Sequence, residues 1–203
     1  MRKAARIDHP DEGLVEQDPF TEVIERAAGG DPDAWGEIYE RFAGPLFGFF
    51  LHQVRDREIA EDLKAGVFLE ALQSRTLFYG GTAALRSWLF RIARNNLIDH
   101  WRRSQRARSE SFHDVEEAEL ARWTPVEDPE NTAIIRLDQQ RLRAGIDTLS
   151  ADQQEVVLLR LTGDLTSAEI AAIVGKSVGA VKALQHRAIA ALTRMLGEKA
   201  GTV

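Results

Sequence analysis

The sequence predicts an all-α protein built as two small helical domains joined by a flexible acidic linker, the C-terminal one containing a helix-turn-helix. Three observations predict it. Apolar residues recur at three- and four-residue intervals through most of the 203 residues, and no alternating stretch is long enough for a strand. An acidic stretch containing prolines and lacking helical periodicity divides the chain. Near the C-terminus, two short amphipathic segments meet at a glycine.

Residues 1–19 are polar and charged without periodicity and read as a flexible leader, so folding is expected to begin at Phe20. From Asp33 to Val54, Trp35, Ile38, Tyr39, Phe42, Leu46, Phe49 and Phe50 form a helical stripe, with Gly44 and Pro45 marking a kink or a break. A third pattern runs from Arg57 to Leu77 through Ile59, Leu63, Val67, Phe68, Ala71 and Leu72. Gly66 inside it costs about 1 kcal/mol relative to alanine, which close approach of another backbone would explain. After a loop at Tyr79, Gly80, Gly81 and Thr82, a fourth helix carries Leu85, Trp88, Leu89, Ile92, Ala93, Leu97, Ile98 and Trp101 into an arginine-rich end. Residues 20–108 thus form the first domain.

Residues 109–130 include Pro125 and Pro129 and read as the linker; fully extended they would reach roughly 70 Å, so the domains need not touch. The second domain, 131–203, opens with a helix bearing Ile134, Ile135, Leu137, Leu142, Ile146 and Leu149. The next bears Val156, Val157, Leu159 and Leu161, with Ser150 and Gln153 placed as a capping box. The helix-turn-helix spans Thr166 to Leu192. Thr166 and Glu169 form a second capping box, Gly175 makes the turn, and Ser177 caps the second helix. Ala171 lets the two helices approach, and Ile170, Val174, Val181, Leu184 and Ala188 can share one small core.

The net charge of −6 is distributed unevenly. Arg91 to Arg108 holds six arginines and one acid, Asp99, whereas Ser109 to Glu130 holds eight acids and one base, Arg122. A free chain so arranged should bind DNA weakly and use its cationic surfaces once a partner positions them. Without cysteine, disulfides, thiolate zinc sites and cysteine nucleophiles are excluded. With no Gly-rich phosphate loop, no metal-ligand spacing and no nucleophile beside an oriented base, neither an enzyme nor a cofactor is expected. No apolar run approaches the roughly 18 residues of a membrane span, and the charged N-terminus lacks a signal-peptide core. A cytoplasmic protein without membrane insertion is the expectation.

Two groups of residues carry nucleic-acid chemistry. Lys182, Gln185 and His186 lie along one face of the second helix of the helix-turn-helix, with Arg187 flanking and Ser177 at its start. Lysine can read guanine edges and phosphates, and glutamine can pair with adenine. Upstream, the aromatics Trp88, Phe90 and Trp101 interleave with Arg91, Arg94, Arg102 and Arg103, and Asn95 and Asn96 offer amides to base edges. Single-stranded bases require this mixture of rings and backbone-tracking cations. Trp88 fits the apolar stripe equally well. The residues alone leave open a two-domain helix-turn-helix transcriptional regulator whose first domain serves as an effector or dimerisation module.

Three blocks in order resemble the extracytoplasmic-function sigma factors of bacterial RNA polymerase, in the sigma-70 family, from Phe20 to Leu196. They are AEDLKAGVFLEAL from Ala60, LRSWLFRIARNNLIDHWRR from Leu85, and LSADQQEVVLLRLTGDLTSAEIAAIVGKSVGAVKALQHRAIAAL from Leu149. The resemblance implies that Glu61, Asp62, Leu63 and Phe68 contact the clamp of the polymerase largest subunit. Members commonly carry glutamine and an acid where this chain has Ala65 and Gly66. It implies that the helix from Leu85 and its preceding loop, Tyr79 to Ser87, capture the melted −10 strand, with Asn95 near flipped bases. The C-terminal domain would read the −35 duplex. There, members commonly have a basic residue at position 184 and an aliphatic one at 185, whereas this chain has Leu184 and Gln185, so the preferred −35 bases do not transfer. The partners implied are core polymerase, through its clamp and flap, promoter DNA and an anti-sigma factor, with no small-molecule substrate. The acidic linker would thread toward the active centre and RNA exit path.

Overall fold

The computed structural model describes residues 18, 20–75, 78, 80–110 and 141–198. Their regular elements are all helices, with no strand among them. The first half comprises α1 (Phe20–Ala28), α2 (Pro32–Val54), α3 (Arg57–Gln73) and α4 (Thr82–Glu110); the second comprises α5 (141–147), α6 (Ala151–Gly163), α7 (Ser167–Val174) and α8 (Val178–Glu198). Most of the expected leader and linker, together with Tyr79, Ile134, Ile135 and Leu137, lies outside the described residues.

Helix α2 runs unbroken through Pro45. Phe42, Leu46, Phe49 and Phe50 on either side of the proline are buried, and that packing offsets the hydrogen bond Pro45 cannot donate. Asp31 starts the helix by accepting from the Asp33 amide at 2.9 Å. Arg55 ends it in the left-handed region at φ 57°. Asp56 then caps α3 by accepting from the Ile59 amide at 3.0 Å. Helix α3 stops at Gln73, short of the expected Leu77, and Leu72 points outward instead of joining the buried stripe. A Cβ at Gly66 would meet only the Asn96 side chain, at 3.7 Å, so no close backbone approach demands this glycine.

The helix-turn-helix follows its local signals closely. Thr166 and Glu169 exchange their capping hydrogen bonds, Gly175 adopts φ 70°, and Ser177 Oγ accepts from the Ala180 amide at 3.2 Å. Ile170, Val174, Val181, Leu184 and Ala188 are all buried. Gln153 likewise caps α6 by accepting from the Ser150 amide at 3.0 Å.

The two halves pack against each other. Helix α6 lies on α2 and α4, and α7 lies on α4. Val156, Val157, Leu158 and Leu159 are buried in succession, which a helix achieves only when covered on all sides. Helices α7 and α8 cover α6 from within its own half, and α2 and α4 cover it from the other. Leu161, beyond that sandwich, is 56% exposed instead of buried as expected. Phe90, read from sequence as a ring available to bases, is fully buried at this seam, edge-on to Phe49 with centroids 5.8 Å apart. Polar contacts border it: Arg55 to Asp147 at 2.7 Å, Arg86 to Asp164 at 3.3 Å, Arg94 to Glu155 at 2.7 Å, and Ser87 Oγ donating to Glu169 at 2.9 Å.

Two glycines should respond oppositely to alanine. A Cβ on Gly163 would sit 3.1 Å from both Leu165 and Phe90, so Gly163→Ala should lower the unfolding free energy by about 1–3 kcal/mol in urea titration. Gly66→Ala, with room for its methyl, should raise it by about 0.5–1 kcal/mol.

His52 makes the closed molecule sensitive to mild acid. Burial pushes its pKa below the ordinary value of 6.5, and neighbouring Arg143 adds to the shift against the opposing pull of Asp147. The unfolded chain therefore binds more protons between the folded value and 6.5, so stability falls as pH drops through that interval. Thermal melts from about pH 7.5 to 5.5 should show this loss. His52→Gln should flatten that part of the profile and leave the lower-pH carboxylate transition in place.

Candidate nucleic-acid interface

Helix α8 is held by an apolar edge and offers a polar one. Val181, Leu184 and Ala188 anchor it, so Lys182, His186 and Arg187 stand exposed on the remaining surface, with Ser177 exposed ahead of the first turn. Leu184 is turned into the core. Gln185 is half-buried, and its Oε1 accepts from Ser167 Oγ of α7 at 2.8 Å. That bond fixes the amide and leaves its nitrogen as the group free to face a ligand. The Leu184 and Gln185 departure therefore has a packing basis: the apolar side chain belongs to the hairpin, and the amide is steered by the preceding helix.

Helix α4 distributes its candidate residues over different surroundings. Arg91 and Asn95 are exposed, as is Arg102, which reaches Asp99 at 3.4 Å with both side chains largely in water. Arg94, one turn from Arg91, is engaged by Glu155 of α6. Asn96 and Arg103 turn to another side, where with His100 they line an open groove of about 440 Å³ against Ile59, Asp62, Leu63 and Gly66 of α3. His100 was not singled out from sequence, although its position four residues beyond Asn96 places it on the same helical face. Trp88 stacks on Phe78 with centroids 5.1 Å apart and packs on the core, whereas Trp101 is exposed and edge-on to His100. The loop before α4 contributes Phe78 and Gly80 to a second open cavity of about 520 Å³, with Arg75 and the α1 residues Thr21, Ile24, Glu25 and Ala28.

On α3, Asp62 is exposed, and Glu61 takes a salt bridge from Lys64. Leu63 is buried at the floor of the α3–α4 groove. Phe68 is half-buried against the ring of Tyr39, with centroids 4.7 Å apart. Leu69 and Leu72 stand exposed near the same end of the helix, and sequence periodicity alone missed Leu69 because it falls off the core stripe. Among the described residues, no group of three or more histidines and acids could hold a metal ion, and no helix is long and apolar enough to cross a membrane.

Known proteins share this order of elements. The family described as sigma-70 region 2 matches residues 38–107, and sigma-70 region 4 matches residues 139–192. The extracytoplasmic-function RNA polymerase sigma factor BldN of Streptomyces coelicolor is 35% identical over 180 residues, covering 88% of this chain and 66% of its own length. The corresponding factor RpoE of Cereibacter sphaeroides is 28% identical over 154 residues, covering 75% of this chain and 80% of its own. Among solved structures, the sigma factor RpoE of Bartonella quintana, in complex with the anti-sigma factor NepR, is 25% identical. It covers 80% of this chain and 96% of its own, with a TM-score of 0.63. These likenesses favour a sigma factor over a two-domain helix-turn-helix regulator. With both sigma-70 regions in order on one chain, and a 35% identical relative aligned along most of it, the chain belongs to the extracytoplasmic-function branch of the sigma-70 family, the promoter-recognition subunits of RNA polymerase.

Proposed function

We propose that this chain directs core RNA polymerase to specific promoters, gripping the −35 duplex with its C-terminal half and the melted −10 strand with its N-terminal half. The observation that carries the reading is the split character of α8. Its buried edge, Val181, Leu184 and Ala188, is engaged by α6 and α7, while Lys182, His186 and Arg187 stand exposed and available to a major groove, with Gln185 oriented by Ser167. Ser177 would meet the backbone at the helix start. On α4, Arg91, Arg94, Arg102 and Arg103 would follow the displaced strand, while Asn95 and Asn96 would present amides to unstacked bases. Trp88 would act chiefly by holding the α3–α4 loop through Phe78.

For core polymerase, Glu61, Asp62 and Phe68 on α3 offer an acidic and aromatic face to the clamp, with Leu63 supporting it from beneath. In this reading residues 20–108 are the region 2 domain, residues 131–203 the region 4 domain, and 109–130 a tether between them. The chain catalyses no chemical step itself and works in the cytoplasm, where its polymerase is. Promoter opening is driven by binding, since captured bases exchange stacking for contacts to protein. An anti-sigma factor, such as the NepR seated on the Bartonella relative, would compete for these surfaces.

Mixing the full chain with core polymerase and a promoter library should yield sequence-specific transcripts that require both proteins. Tight specific DNA binding by the chain alone, or transcripts indifferent to its presence, would overturn the reading. With the selected promoter in hand, Lys182→Ala or Arg187→Ala should weaken binding of the −35 duplex by about 1–3 kcal/mol if base edges are read. A uniform loss across sequences, with a shallower salt dependence, would assign the residue to phosphate instead.

A further inference from the structure

In the closed arrangement the two candidate DNA readers are bridged by α7. Gln185 of α8 accepts a hydrogen bond from Ser167 of α7, and two residues further along α7 Glu169 accepts one from Ser87 of α4. Promoter elements named for positions −35 and −10 lie about 25 base pairs apart, roughly 85 Å at about 3.4 Å per step. Readers joined through one short helix cannot occupy both. The halves must separate before the promoter is gripped at both ends.

The seam that holds them together is charge-sorted. Among the described residues its ion pairs set Arg55, Arg86 and Arg94 of the first half against Asp147, Asp164 and Glu155 of the second. Only Arg94 and Glu155 are both shielded, with side chains 24% and 19% exposed, against 49% and 45% for Arg55 and Asp147 and 84% for Asp164. Arg94 adjoins Asn95 and lies one turn from Arg91 on the helix read above as the strand-capturing element. Glu155 sets a carboxylate oxygen 2.7 Å from its Nε, the charge and distance at which a DNA phosphate oxygen would sit. Arg86, at the same seam, reaches Asp164 through one guanidinium nitrogen at 3.3 Å while its Nε is buried without a hydrogen-bond partner.

We propose that Glu155 is an internal mimic of a DNA phosphate, which occupies Arg94 while the halves are closed and yields it to the −10 strand when they separate. The proposal rests on the reading of Arg94 as a strand contact. Domain separation and strand capture then become one exchange at a single guanidinium, and the free chain is held away from DNA by its own second half.

Because the chain contains no cysteine, dyes attached through Glu58→Cys on α3 and Ala190→Cys on α8 report the separation of the halves in the full chain. Glu155→Gln should lengthen that separation and tighten binding of a labelled random-sequence single strand of about 12 nucleotides by about two- to fivefold, with a circular-dichroism melt verifying that the variant folds. The charge swap Arg94→Glu with Glu155→Arg should restore the short separation while losing strand binding. On core polymerase, where the readers are already apart, Glu155→Gln should alter transcript yield by less than about twofold. Unchanged dye separation and strand affinity in Glu155→Gln would overturn the proposal. Transcript yield on holoenzyme that is indifferent to Arg94→Ala would instead overturn the strand-contact reading, and the dye separation would still show whether Glu155 closes the seam.

Discussion

Because Phe90 is fully buried on α4 while Arg91, the next residue, is in water, the rotation of that helix about its own axis is fixed, and most other placements follow from it. Phe90 meets Phe49 on one side and the α6–α7 corner at Gly163 and Leu165 on the other. With that edge inward, Arg91, Asn95 and Arg102 must lie outward, Arg94 must face α6, and Asn96, His100 and Arg103 must border α3. A helix of 29 residues thereby packs against α1, α2, α3, α6 and α7 at once. Its arginines, which look equivalent as a run of sequence, become chemically distinct.

The same rotation explains how a chain of net charge −6 can present cationic surfaces. Seven of its 26 lysines and arginines lie on α4 and two more, Lys182 and Arg187, on the exposed face of α8, while eight of its 32 acids lie in the stretch 109–130. Where the halves meet, arginines of one face acids of the other. Such pairs at a partly hydrated seam contribute little to stability individually, on the order of 1 kcal/mol or less, but they select orientation because a misplaced contact would juxtapose like charges. The apolar contacts around Phe90 hold the halves together; the charges decide which way they face.

What could be read from the sequence was what short-range chemistry dictates. The capping boxes at Thr166 and Ser150, the left-handed Gly175 and the buried positions of the helix-turn-helix depend on neighbours within a few residues, and they fold as their spacing says. Pro45 was ambiguous because its local preference against helix competes with the burial of Phe42, Leu46, Phe49 and Phe50 around it, and burial wins. The seam was invisible for a different reason. Helix α6 carries one apolar stripe for α8 and a second for α2, and a single sequence reads the two as one broad face without saying that two partners share it. Phe90 among arginines reads as a ring for bases until the second half supplies the pocket that buries it, and Glu155 reads as a solvated acid until α4 is placed opposite.

Whether the closed arrangement can yield to a partner depends on which contacts resist. Phe90 keeps Phe49, a first-half neighbour, after separation, so opening leaves one face of the ring packed and uncovers the edge beside Gly163. The polar contacts at the seam add little. Inverting a closed population from about 99:1 to 1:99 requires a partner that prefers the open form by about 5.5 kcal/mol. Two separate docking surfaces on one large assembly can supply that preference, since each binds its own half and neither is satisfied while the halves touch. A short DNA duplex cannot, because it rewards one half alone. On the proposed reading, the seam would make the chain responsive to polymerase and largely indifferent to free DNA, through packing and charge placement fixed by the rotation of α4.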